Sequence, residues 1–335
     1  MKERNNMEGK NKIRVSTILL ITLALALVGI VLATILHHSD SEANTPTDRW
    51  EYGSCGKPEG KIVVLSIYAD SADVTWTDSS EDELRKDVMR ERLLTGTKWI
   101  SDQASKYGKT VEFICDWEKD SNLQISTNME ADLTFISDTN KEEILDNIQN
   151  EASEYGSKLI EKYNADGIIY AYMLNIPEEM GKFSSVAMPY RGSDDENVEA
   201  SDVNVDAGTD VDTAEHVDAN AIPYDRNEAI ILGYTTWGID CYPAIYAHEI
   251  LHLFGAPDFY DIDKHGNNYG TNEESVKWFE ENNANDIMFE MYNIGEDGLP
   301  KEEIVQEITD ATAYYIGWLE EWPLQSELGL AENKY

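Results

Sequence analysis

The sequence predicts a mixed α/β (α+β) domain: a twisted, mixed sheet, largely parallel, with helices packed on it. Two observations carry this. Short β-branched apolar runs alternate with longer segments whose apolar residues recur every three or four positions. Strand–helix–strand–helix–strand order also calls for long crossovers, which join parallel rather than antiparallel neighbours.

Taken in order, KIVVLSIYAD (61–70) reads as the first strand. Ser80-Glu81-Asp82-Glu83 has the S-x-x-E spacing of a capping box. Leu84, Val88, Leu94 and Ile100 then mark a helix running to Tyr107, and Gly108 stops it. TVEFICDW (110–117) reads as a second strand. Thr139 to Glu142 opens another helix, with Ile144, Leu145, Ile148, Ala152, Leu159 and Ile160 on one face. Gly167 begins the strand GIIYAYMLN; FSSVAMPY (183–190) and EAIILGYT (228–235) read as two more.

The chain before residue 61 sets the expected compartment. Val15 to Leu36 is a 22-residue uncharged run, long enough for a membrane-spanning helix. Lys2, Arg4, Lys10, Lys12 and Arg14 precede it, and acidic residues follow it. Basic flanks stay inside, so residues 1–14 read as a cytoplasmic tail, 15–36 as a signal-anchor and 37–60 as a polar stalk outside the cell. Cleavage near Ser41-Glu42-Ala43 and secretion is the alternative, although signal-peptide apolar regions are usually shorter. Residues 61–322 form the folded domain and 323–335 a C-terminal tail.

With 26 Lys+Arg against 65 Asp+Glu, the net charge is −39, which argues against nucleic acid as a partner because phosphates are held by basic side chains. Residues 193–220 read as an acidic insertion, with ten acids and no basic residue. Asp202, Asn204 and Asp206 have the opening spacing of a Ca²⁺ loop, but Gly208 falls one place late and the twelfth position is Thr213. Ca²⁺ is therefore the weaker cofactor expectation. Oligomeric state has no sequence signature.

The chemistry-bearing stretch is YPAIYAHEILHLFGAPDFY. His248 and His252 are four apart, so on a helix both imidazoles reach one ion. Glu249 is offset by about 100° from His248 and can serve water beside that ion as a general base. Ile245, Leu251 and Phe254 form the buried stripe. Gly255 permits a left-handed turn and Pro257 prevents the helix resuming, so Asp258 can swing back beside the histidines. Glu273, Asp261 and His265 remain alternative third ligands. Cys55, Cys115 and Cys241 are too few for a disulfide scaffold, and their pairing stays open.

HEILHLFGAPD resembles the extended zinc motif HExxHxxGxxH/D of the metzincin clan, and HEILHLFGAPDFYD is most similar to the immune-inhibitor-A-like peptidases. Asn285-Asp286-Ile287-Met288 resembles the Met-turn of that clan, and Ala313 to Trp318 the segment after it. The resemblance covers roughly residues 228–322. It implies a metzincin-like catalytic domain with a smaller C-terminal helical subdomain, one catalytic Zn²⁺ on His248, His252 and Asp258, and peptide or protein substrates. The tyrosine expected two residues after the turn Met is absent: position 290 is Glu, Tyr292 lies four residues on, and Met291 competes as the turn residue. Ser54 to Glu59 resembles the Cys-Gly-x-Pro-Asp segment of matrix-metallopeptidase pro-regions, with Cys55 as the thiolate; a free or paired Cys55 is the simpler reading. A non-catalytic cell-surface binding protein with a structural metal, and a calcium-dependent adhesion domain, are the alternative functions; Glu249 argues against the former, since a structural site needs no base.

Overall fold

The computed structural model describes residues 56–71, 74–129, 132–134, 155–181, 183–188, 229–260, 270–295 and 300–333. The signal-anchor, the acidic insertion with its Ca²⁺-like loop, Cys55, Asp261 and His265 lie outside the described residues, as does most of the helix expected after Thr139. No helix among the described residues is long and apolar enough to cross a membrane.

The elements are β1 (Gly60–Asp70), α1 (Ser80–Lys106), β2 (Val111–Ile114), β3 (Gln124–Asn128), β4 (Gly167–Leu174), β5 (Val186–Met188), β6 (Ala229–Gly233), β7 (Thr235–Thr236), β8 (Ile239–Asp240), α2 (Pro243–Leu253), α3 (Glu273–Asn282), α4 (Asp310–Tyr315) and α5 (Leu324–Glu327). The expected mixed α/β architecture with a largely parallel sheet is present. Strand order is β2-β1-β4-β6-β5, with β3 on β1 beyond β2. Within this sheet every pairing is parallel except β5 with β6, where Val186 faces Ile231 and Met188 faces Ala229; β7 and β8 form a separate antiparallel pair. A parallel sheet buries both faces, and period-2 alternation in β1 divides the core accordingly. Ile62, Val64 and Tyr68 face the side holding α1 to α4, whereas Val63, Leu65, Ile67 and Ala69 face the side holding Leu159 and the helical residues 155–163.

Several boundaries differ from the sequence expectation. The α1 cap is one residue earlier: Ser79 Oγ accepts the Asp82 N–H, and the Asp82 carboxylate accepts from Thr77 N–H. The face that packs is Met89, Leu93, Thr97, Ile100 and Ala104, while Leu84 is exposed. The face is set by α2: a Cβ at Gly96 would lie 2.9 Å from the Pro243 carbonyl oxygen and 3.2 Å from Tyr246 Cβ. Gly96→Ala is therefore expected to lower the melting temperature, because overpacking typically costs about 1–3 kcal/mol and outweighs a helix-propensity gain of about 1 kcal/mol. A rise on thermal unfolding would contradict this close contact. The polar strand β3 (QISTN) gave no apolar signal, since it is a half-buried edge.

The domain also extends past its expected limits. Pro58 is buried, and its carbonyl accepts the Trp318 Nε1–H at 3.0 Å. Leu328 and Leu330 are core residues, so 323–333 is not a tail. Helices α3 and α4 share one cluster with α1 and α2 through Phe279, Tyr315 and Trp318, so the C-terminal helices have no separate core. Cys115 and Cys241 are free, buried thiols, pushed by burial up to about 11 and about 12. Ellman's reagent is expected to miss both in the native full chain and to titrate both after denaturation; fast native reaction of either would contradict their burial.

Candidate metal centre and active site

Helix α2 begins at Pro243, whose fixed φ and missing N–H suit the first helical turn. From Ala244 to Leu251 every residue is buried, more than the one-sided stripe of the sequence reading, so the helix is held all round and its rings are fixed. It ends where Gly255 takes φ +104, with the Ala256 N–H returning to Leu251 O at 3.1 Å. That turn carries the Ala256 carbonyl back to His252, which donates Nδ1–H to it at 2.7 Å. His248 donates its Nδ1–H to Ile287 O at 3.0 Å. With both Nδ1 protons engaged, each neutral ring presents an Nε2 lone pair.

The two Nε2 atoms are 3.0 Å apart, and Asp258 Oδ1 lies 3.1 Å from that of His248 and 3.3 Å from that of His252. Among the described residues this is the group that could hold a metal ion. Three acceptor atoms packed this closely repel one another unless a cation or proton lies among them. Asp258 Oδ1 is buried, with the two imidazole Nε2 atoms as its polar neighbours. Ligands about 2.0–2.1 Å from a tetrahedral ion lie about 3.3–3.4 Å apart, close to the edges observed. The donor set therefore fits a small divalent ion. Side-chain exposure rises from 1% at His248 through 17% at His252 to 33% at Asp258, so the triangle opens to solvent on the Asp258 side.

The electrostatics favour positive charge at the same point. Burial pushes the His252 pKa down, but the Asp258 carboxylate outweighs it and raises the group to about 9. Burial likewise pushes Asp258 up, and the two imidazoles hold it well below the usual carboxylate range. Glu249 is buried, which raises its pKa against the pull of both histidines; the Ala187 N–H of β5 hydrogen-bonds its carboxylate. This contact places the antiparallel strand β5 beside Glu249.

The structure thus brings His248, Glu249, His252 and Asp258 together. Glu273 is exposed at the start of α3 and stands apart from the group. Met288, not half-buried Met291, is fully buried, and its carbonyl accepts the N–H of Phe259, the neighbour of Asp258, at 3.0 Å. Tyr260 is exposed, its ring stacked 6.3 Å from that of His248. Tyr292 is half-buried and raised to about 12 by burial, with the charges of Cys241, Glu290 and Glu249 adding to it. The Ala187 amide and Asp286 were missed in the sequence. An acid two residues before Met288, in the run that resembles a Met-turn, was the available signal for Asp286. No family model matches the chain, and no significant match to a curated protein was found.

Proposed function

We propose that the chain is a zinc-dependent endopeptidase of metzincin-like type, working outside the cytoplasm. The observation that carries the reading is the triangle of two imidazole nitrogens and one carboxylate oxygen, with edges of 3.0–3.3 Å, beside a buried glutamate outside it. His248, His252 and Asp258 would hold Zn²⁺, leaving a fourth position open.

Zinc supplies Lewis acidity, which makes water a stronger acid and a peptide carbonyl a better electrophile. Glu249 takes the proton of the attacking water and returns it to the departing amine. Its burial suits that task, because a raised pKa lets the carboxyl hold a proton between the two transfers. The Ala187 N–H fixes the carboxylate, and the protonated Tyr292 hydroxyl is available as a donor near it. β6 is paired on both sides, whereas β5 has β6 as its one partner strand among the described residues. An extended peptide would add to β5 by main-chain hydrogen bonds. The uncharged segment 15–36 and its basic flank support anchoring in the membrane with the domain outside.

The test is cleavage of an unstructured protein by the full chain before and after chelation. Hydrolysis that stops with chelator and returns with zinc is expected; hydrolysis indifferent to chelator would remove the metal from the reaction.

A further inference from the structure

We propose that Asp286 is a positioning residue of the metal centre, setting its zinc affinity without touching the ion. The inference rests on the zinc reading above.

Asp286 is completely buried, and its carboxylate gathers four donors. Oδ1 accepts the Met288 N–H at 2.7 Å and the Thr312 hydroxyl at 2.7 Å. Oδ2 accepts the Thr309 N–H at 3.1 Å and the Thr309 hydroxyl. Thr309 occupies the N-cap position of α4 and Thr312 lies in its first turn, so one side chain, that of Asp286, ties the 286–289 turn to that helix. On the other side of the turn are two carbonyls with work to do. Ile287 O holds the His248 Nδ1–H, which fixes the tautomer and aims Nε2. Met288 O holds the Phe259 N–H, which fixes the backbone next to Asp258. The turn thus orients one ligand from each side of the Gly255 bend, and Asp286 fixes the turn. A carboxylate is required, because it meets four donors with acceptors alone; an amide of the same shape turns an N–H towards some of them.

The experiment measures zinc affinity of the full chain by competition with a chromophoric chelator, beside thermal unfolding of the metal-free chain. Asp286→Asn and Thr312→Val are compared with Leu159→Ala, which opens a cavity on the far face of the sheet. Loss of a group that orients a ligand costs about 10–100-fold in affinity. Asp286→Asn is expected to show that loss and Thr312→Val a smaller one, while Leu159→Ala lowers the melting temperature and leaves affinity within about two-fold of wild type. Should Asp286→Asn not fold, Thr312→Val carries the comparison alone. Unchanged affinity in the turn variants, or an equal loss in Leu159→Ala, would overturn the positioning role while leaving zinc binding intact. A wild-type chain that binds no zinc would overturn the metal centre itself, and the role of Asp286 with it.

Discussion

Glu249→Gln is expected to reduce peptide hydrolysis by the full chain by about 10²- to 10⁴-fold, the usual contribution of a positioned general base. Zinc content should stay at the wild-type level, because the ligand triangle is made by His248, His252 and Asp258 without Glu249. The amide matches the carboxylate in shape and retains an oxygen for the Ala187 N–H. It also removes a buried charge whose desolvation is unfavourable, so the metal-free variant should unfold at no lower temperature. Paired turnover and metal analysis separate the outcomes. Full activity in the variant would remove Glu249 as the base, and loss of zinc would mean that it serves the ion directly.

The second large effect concerns the ligands. His248→Ala, His252→Ala and Asp258→Ala should each lower zinc affinity by more than the roughly 10–100-fold that follows loss of a ligand's hydrogen-bonding partner. Activity should fall with zinc occupancy and recover only partly at high zinc. Glu273→Ala should leave affinity unchanged, since Glu273 is exposed at the head of α3. Chelator competition on the four variants checks this ordering. Equal losses in Glu273→Ala and Asp258→Ala would contradict the choice of third ligand.

Local spacing explains why so much of the centre was legible in the sequence. His248 and His252 meet because residues four apart share a helix face, and Asp258 returns because Gly255 accepts a positive φ directly after the last turn. Strands β1, β4 and β6 were readable for a similar reason: buried on both faces, they are continuous apolar runs. The unreadable parts depend on distant partners. The packed face of α1 is chosen by α2, more than a hundred residues later, through the approach at Gly96. β3 is polar because an edge strand need bury little. The Asp286 network joins residues 23 and 26 apart, with no periodicity to announce it. The contact between Ala187 and Glu249 exists only once β5 has paired antiparallel with β6.

The most direct measurement is a crystal structure of the full chain grown with zinc, with anomalous data collected at the zinc edge. One peak is expected, about 2.0–2.2 Å from Nε2 of His248, Nε2 of His252 and a carboxylate oxygen of Asp258. Absence of a peak between the two imidazoles, or an ion completed by Glu273, Asp261 or His265 in place of Asp258, would contradict the centre described above.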